Sequence, residues 1–159
     1  MAQLYGGWAE YQALLVKAIA PLDDAQLGLS AAPQLWSVRM LVSHVVSARG
    51  WYFYKWMAEG GDAWERYEDW DDMEEMATRQ APELVRGLEE SWSLLAPGLE
   101  RWTATDLDAS FRRPAPNAKG EWPIRSRGWI VWHVAEHDVH HGGEISLTLG
   151  MHGVQGLDL

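Results

Sequence analysis

Four stretches of the chain carry apolar residues at the alternating three-and-four spacing that forms one stripe along an α-helix. They cover residues 8–18, 41–52, 84–102 and 129–148. No stretch shows the strict alternation of apolar and polar residues that is typical of a half-buried strand. The pattern therefore predicts an all-α fold, in which four helices pack their apolar stripes together as a four-helix bundle.

Proline, serine and glycine residues set the expected ends of the first two helices. Pro21 ends the first helix, and Ser37 is a suitable N-cap for the second. Gly60 and Gly61 close the second helix. The connection over residues 62–72 is acidic and contains tryptophan, and its composition is compatible with a short helix.

The last two helices are separated by a long connection. The third helix is expected to begin near Pro82, and its periodicity continues past Pro97, which favours a kink over an end. Residues 103–125 contain three prolines and a glycine and predict a long crossing loop before the last helix. The fourth helix is predicted over residues 126–149, with Gly150 as its C-cap.

Length and charge narrow the class of protein. The chain has 159 residues, which is the size of one ordinary domain, so we expect residues 1–159 to form a single domain. Asp and Glu number 23 against 13 Lys and Arg, and the formal net charge of −10 makes nucleic acid an unexpected partner. The sequence shows no secretion signal and no apolar stretch long enough for a membrane span, so we expect a cytoplasmic protein without a membrane partner.

Histidine is the residue type most suggestive of chemistry, because cysteine is absent and supplies neither a thiolate ligand nor a nucleophile. Four of the six histidines fall within nine residues, at positions 133, 137, 140 and 141. His137 and His141 are one helical turn apart and therefore share a face, and His44 lies on the apolar stripe of the second helix. Taken singly, these residues are also compatible with a hydrogen-bonded core histidine and with a solvated helix face. Converging neutral imidazoles would hold a divalent cation and leave a fourth position open.

Two segments resemble the DinB/YfiT-like superfamily of bacterial four-helix-bundle proteins. They are WSVRMLVSH at residues 36–44 and HVAEHDVHHGGE at residues 133–144, and the resemblance extends over nearly the whole chain. It implies a divalent metal ion, with zinc or nickel as the first candidates, held by His44, His137 and His141. Some members are thiol-dependent S-transferases or isomerases, so the resemblance also implies a low-molecular-weight thiol as cosubstrate. It further implies a homodimer.

The chain departs from this family after the last expected ligand. Relatives often read His-Arg-Gly-Gln there, whereas this chain reads His141-Gly142-Gly143-Glu144, which loses a cation and gains a carboxylate. Glu144 shares a helix face with His141, and we interpret it as a catalytic base, a fourth ligand, a group that orients a ligand, or an exposed surface residue. Two glycines inside a helix indicate either a close approach of another part of the chain or a local break.

The remaining polar groups of the last helix have less specific interpretations. His133 is expected to line a pocket or to pack against Trp129, with contact to the metal as the less favoured alternative. His140 is expected at a partner helix or in solvent, and His152 at the surface. Glu136 and Asp138 flank the expected ligands and could accept an imidazole N–H, although the surface is the commoner place for such residues.

Two other metal motifs fit less well. The H-x-x-E-H pattern at residues 133–137 would make Glu136 the base of an inverted zinc protease, but such enzymes need a further ligand well downstream in a much larger fold. A di-iron carboxylate bundle needs histidines three residues after glutamates, and the sequence has none.

The leading hypothesis is therefore a metal-dependent enzyme that activates a small thiol or water for S-transfer to, or hydrolysis of, a small-molecule substrate. Several aromatic residues are expected either in the core or as walls of its pocket, namely Trp51, Tyr52, Trp56, Trp129 and Trp132. The alternative is a non-catalytic module, either a metal-stabilised dimer or a binder of apolar small molecules, in which a fourth protein ligand such as Glu144 would complete the site.

Overall fold

Helices dominate the computed structural model, which describes residues 5–158. In chain order the α-helices are α1 (Gly6–Ile19), α2 (Asp24–Leu27), α3 (Val38–Gly50), α4 (Met73–Met76), α5 (Ala81–Arg101) and α6 (Arg127–Met151). Helix α3 packs against both α5 and α6, and α1 packs against the same two helices. This architecture confirms the predicted all-α class. No helix in residues 5–158 combines the length and the apolar character needed to cross a membrane.

The second predicted helix is shorter than expected and ends in an irregular turn. Ser37 does precede α3, but its side chain makes no capping hydrogen bond. After Gly50 the chain continues as a π-helical segment, Trp51–Trp56, and then leaves the helix through left-handed backbone at Ala58 and Gly60. The acidic connection that follows begins with a 3₁₀ helix, Gly61–Tyr67, in agreement with the short helix that its composition allows.

Helices α5 and α6 agree closely with the prediction, with one difference at the C-terminus of α6. Helix α5 continues through Pro97 to Arg101. Helix α6 begins after Ser126, whose hydroxyl accepts a hydrogen bond from the Trp129 backbone N–H at 3.1 Å. Gly150 is not the C-cap, because the helix continues to Met151 and the left-handed residue beyond it is Gly153.

The predicted long loop contains regular structure. It holds a 3₁₀ helix, Thr105–Asp108, and an antiparallel pair of strands, β1 (Ser110–Arg112) and β2 (Ile124–Ser126), in which Phe111 pairs with Arg125. The expectation that strands are absent is wrong in this detail. Each strand has three residues, which is too short for an alternating pattern to be visible in the sequence.

A buried ion pair joins α3 to α6 in the middle of the molecule. The guanidinium of Arg49 donates to the Asp138 carboxylate from Nη2 at 2.7 Å and from Nε at 3.0 Å, and both side chains are fully buried. Arg49 also donates to Gln12 of α1 and Ser91 of α5, and the Trp8 indole N–H donates to Asp138 at 2.7 Å. The expected surface position of Asp138 is therefore wrong, because Arg49 compensates the buried charge. The network ties together all four long helices.

Substitution of Arg49 by Met should cost about 3–5 kcal/mol of unfolding free energy, because it leaves the Asp138 carboxylate buried without its partner. Urea denaturation measures the change. The exposed pair of Arg66 and Glu90, with Nη1 3.4 Å from Oε2, offers a matched control, and Arg66→Met should cost less than about 1 kcal/mol. Equal losses in the two variants would contradict the central role of the Arg49–Asp138 pair.

The two neighbouring glycines of α6 have different surroundings. A Cβ atom at Gly142 would lie 2.0 Å from the hydroxyl oxygen of Tyr11, whereas a Cβ atom at Gly143 would meet nothing within 4 Å. The Tyr11 ring is buried, and its hydroxyl donates to the Val139 carbonyl of α6. The close approach indicated by the sequence is therefore that of a side chain of α1, and the helix itself is unbroken.

The variants Gly142→Ala and Gly143→Ala should consequently change stability in opposite directions. The first forces the Tyr11 ring away from α6 and should cost about 1–3 kcal/mol, as overpacking of a core does. The second should stabilise the helix by about 0.5–1 kcal/mol through the better helix propensity of alanine. Thermal unfolding measures both changes, and a loss of stability in Gly143→Ala would contradict the open surroundings of that residue.

Candidate metal centre

Helices α3 and α6 bring three histidines to one place. His44 comes from α3, and His137 and His141 come from successive turns of α6. One nitrogen of each ring lies within 4.8 Å of the others, and the Nε2 atoms of His44 and His137 are 3.2 Å apart. All three residues are half-buried. The three predicted ligands thus converge, although they are far apart in the sequence.

Asp71 fixes the orientation of the His44 ring. Its Oδ2 lies 2.9 Å from Nδ1 of His44, and its Oδ1 accepts a hydrogen bond from the Ser47 hydroxyl at 2.8 Å. The hydrogen bond with His44 holds the pKa of the Asp71 carboxyl below its usual range. A carboxylate only accepts, so Nδ1 of His44 carries the proton and Nε2 presents a lone pair.

Glu144 has the same relation to His141. Its Oε2 lies 2.7 Å from Nδ1 of His141, which leaves Nε2 as the free nitrogen of that ring. The Oε1 atom of Glu144 is 3.6 Å from Nε2 of His140, so His140, His141 and Glu144 form a second, more exposed group of possible ligands. Glu144 is partly exposed, in contact with the ring of a predicted ligand.

His137 is the most enclosed of the three rings. Desolvation by burial, together with the repulsion of charge by His141 and His44, lowers the pKa of His137 to about 3. Burial also lowers the pKa of His141. These rings are therefore neutral near pH 7, which is the form that binds a metal ion.

The hydrogen bonding of His137 is incomplete among residues 5–158. Its Nδ1 is buried without a partner, and its Nε2 faces the lone pair of His44. Either tautomer of His137 therefore leaves one ring nitrogen unsatisfied in the protein itself. A cation between the rings would accept the converging Nε2 lone pairs, so the donor set fits a divalent ion of the kind that imidazoles bind.

His133 lies next along α6 but is held by other groups. Its ring stacks on Trp129, with centroids 4.9 Å apart and planes at 17°, as the sequence predicts. Nδ1 of His133 lies 3.3 Å from Oε2 of Glu136, and Nε2 lies 2.9 Å from the Tyr52 hydroxyl. These contacts occupy both ring nitrogens. The side chains of His140 and His152 are exposed, as expected.

None of the five aromatic residues expected in the core or in a pocket wall belongs to the wall of the cavity beside His141. Tyr52 contacts His133, whereas Trp56 is buried in the core and Trp132 is largely exposed on the outer face of α6. The aromatic residue that meets the cluster of ligands is Trp36, whose ring packs edge-on against His44 at a centroid distance of 4.9 Å. Trp36 belongs to the segment that resembles the family, but nothing in its spacing indicated this contact.

A cavity of about 350 Å³ opens beside the cluster. It lies between the turn before α3 and the C-terminal half of α6. Its lining residues are Ala31, Gln34, Leu35, Trp36, Leu41, His141, Glu144, Leu147 and Thr148. The centre is thus accessible to a small molecule from the side of His141.

The sequence of the chain matches a known protein family, and its fold matches a solved structure. The sequence model described as the DinB superfamily matches residues 8–145, which include His44, His137 and His141. The chain belongs to the DinB superfamily. Among solved structures, this DinB superfamily member is similar to a DinB-like protein from Bacillus cereus ATCC 10987, with a TM-score of 0.70 and 16% sequence identity. The match covers 97% of this chain and 93% of the other, and at this identity it shows a shared fold. No curated protein matches the sequence.

The metal-free protein should lose stability as the pH falls from about 6.5 toward 3. The pKa of His137 is about 3 in the fold and close to 6.5 in the unfolded chain, so between these values only the unfolded chain binds the proton. Urea denaturation at a series of pH values measures the slope. His137→Gln should flatten it, whereas His152→Gln, at an exposed ring, should not. An unchanged slope in His137→Gln would contradict the buried, neutral state of this ring.

Proposed function

We propose that this protein is a metal-dependent enzyme, in which His44, His137 and His141 hold a divalent cation between helices of a four-helix bundle. The observation that carries the proposal is the convergence of three imidazole nitrogens within 4.8 Å, half-buried and beside a cavity. The carboxylates of Asp71 and Glu144 support it, because each occupies the outer nitrogen of one ring. Zinc and nickel are the first candidates, since imidazole is a good ligand for both.

A site with three neutral nitrogen ligands is more typical of a catalytic metal site than of a structural one, since structural zinc sites have four protein ligands. A divalent cation bound there supplies a Lewis acid that lowers the pKa of a water or thiol at its open position. The chain has no cysteine, so the nucleophile comes from solution. The reaction proposed is S-transfer with a low-molecular-weight thiol, or hydrolysis with water, on a small-molecule substrate.

Glu144 is the residue proposed to move the proton. Its Oε2 is engaged with His141, but its Oε1 has no closer partner than Nε2 of His140 at 3.6 Å. The side chain also lines the cavity through which a substrate would approach. From this position the carboxylate would accept the proton of an incoming water or thiol while it keeps His141 oriented.

The alternative is a module that binds an apolar small molecule without reaction, and the apolar lining of the cavity favours it. We propose a homodimer for the enzyme and for the binding module alike. It is supported by Trp132 and Val139, large apolar side chains that α6 leaves exposed. The cytoplasmic location stays a prediction.

Metal content tests the ligand set. Protein loaded with zinc or nickel and then dialysed should retain about one ion per chain, measured by mass spectrometry of the metal. His44→Ala, His137→Ala and His141→Ala should each lose it, whereas His133→Ala should retain it as the matched control. Asp71→Asn should weaken metal affinity about 10–100-fold in competition with a chelator. Undiminished metal in any two of the three ligand variants would overturn the site.

Turnover separates the enzyme from the binding module. The metal-loaded protein should transfer a thiol to an electrophilic acceptor, or hydrolyse an activated ester, and Glu144→Gln should lower the rate about 10²–10⁴-fold. Folding and metal content of that variant are checked in the same preparation. Absence of turnover with every thiol and ester, with the metal in place, would favour the binding module.

A further inference from the structure

The cavity beside His141 has the size and shape of a binding site in its own right. Its volume of about 350 Å³ falls at the lower end of the range for small-molecule sites, about 300–1,000 Å³. Two of the residues of the candidate metal centre, His141 and Glu144, form part of its wall. A third wall residue, Trp36, packs against His44. A ligand in the cavity therefore lies next to the imidazole of His141, and Trp36 separates it from that of His44.

The residues that line the cavity differ in polarity and charge. Most lining residues are apolar, and the neutral polar ones are Gln34, His141 and Thr148. Glu144 is the charged residue of the lining, to which residues 5–158 contribute no lysine or arginine. A carboxylate without a neighbouring cation repels anions across a low-dielectric space and attracts cations. The lining thus discriminates by charge as well as by polarity.

The rim of the cavity is unusually apolar for a surface. Leu35 and Leu147 are 54% and 62% exposed, and Trp36 is 37% exposed. These three large side chains stand on either side of the opening, two before α3 and one on α6. An apolar ligand would cover them, which is favourable because it removes apolar surface from water.

We propose that this cavity binds the non-reacting part of the substrate and selects an apolar group that is uncharged or cationic, to the exclusion of anions. The reacting end of the molecule would face His141, and its apolar body would lie between Trp36 and Leu147. This assignment of ends rests on the proposed function. The selection by charge rests only on the wall of the cavity, and therefore holds for the protein without metal.

Three probes of equal size and different charge test the selection: benzylamine, benzyl alcohol and benzoate. Each is titrated at neutral pH into metal-free protein, and the indole N–H resonances of the tryptophans are followed by NMR. The signal of Trp36 is assigned from its absence in Trp36→Phe. We expect benzylamine and benzyl alcohol to shift this signal with affinities at least about tenfold above that of benzoate. The signal of Trp64, whose side chain is fully buried and does not line this cavity, serves as the internal control and should not move.

Two variants separate charge from shape. Glu144→Gln keeps the size of the side chain and should bring benzylamine and benzyl alcohol to equal affinity, with a gain for benzoate. Leu147→Asp, at an exposed position where folding is not at stake, should weaken benzyl alcohol about tenfold or more. Benzoate binding as tightly as the other two, no discrimination change in Glu144→Gln, or no shift of the Trp36 signal with any probe would each overturn the proposal.

The outcome is independent of the metal assay, because the probes need neither a metal ion nor turnover. If the probes are selected by charge but the histidines do not hold a metal ion, the charge-selective cavity is supported and the proposed metal-dependent enzyme is wrong. If the three histidines retain the metal and the probes bind without selection, the proposed charge selection by the cavity is wrong. The proposed metal site is then unaffected.

Discussion

The ion pair between Arg49 and Asp138 is the interaction on which the candidate site depends. Asp138 lies between His137 and His141 in the sequence of α6, and Arg49 lies little more than one turn beyond His44 on α3. The pair is fully buried and hydrogen-bonded to α1 and α5, so a shift of α3 along α6 that separated the two side chains would leave a buried charge without its partner. It therefore sets the register of α3 against α6 and, with it, the separation of the histidines.

Near this pair, imidazoles and carboxylates together form the candidate metal centre. Burial keeps the rings of His137 and His141 neutral, and the carboxylates of Asp71 and Glu144 lie on the outer sides of His44 and His141. This combination orients the Nε2 lone pairs inward before any ligand arrives, which reduces the reorganisation needed for binding. Membership of the DinB superfamily and the shared fold agree with this arrangement, while the reaction itself is a proposal.

The contacts that escaped prediction share a physical reason: each joins segments that are distant in the sequence and has no periodic signal. Asp71 lies in the acidic connection over residues 62–72, and the sequence does not indicate which of its carboxylates contacts His44. Arg49 and Asp138 each resemble ordinary surface residues of a helix, because a polar residue reveals its burial only through its partner. The strands of the long loop are three residues each, and their pairing is set by backbone hydrogen bonds rather than by side-chain pattern.

The sequence by itself determined the helices and the candidate ligands. Apolar residues recur at the helical period because one face of each helix must be buried, and the spacing of His137 and His141 follows from the helical turn alone. Tertiary structure decided which carboxylates orient the rings and that a cavity opens at Glu144, with no lysine or arginine among the described residues that line it. These features depend on how α3, α6 and the connections between helices pack, and packing is decided by buried contacts that no local pattern encodes.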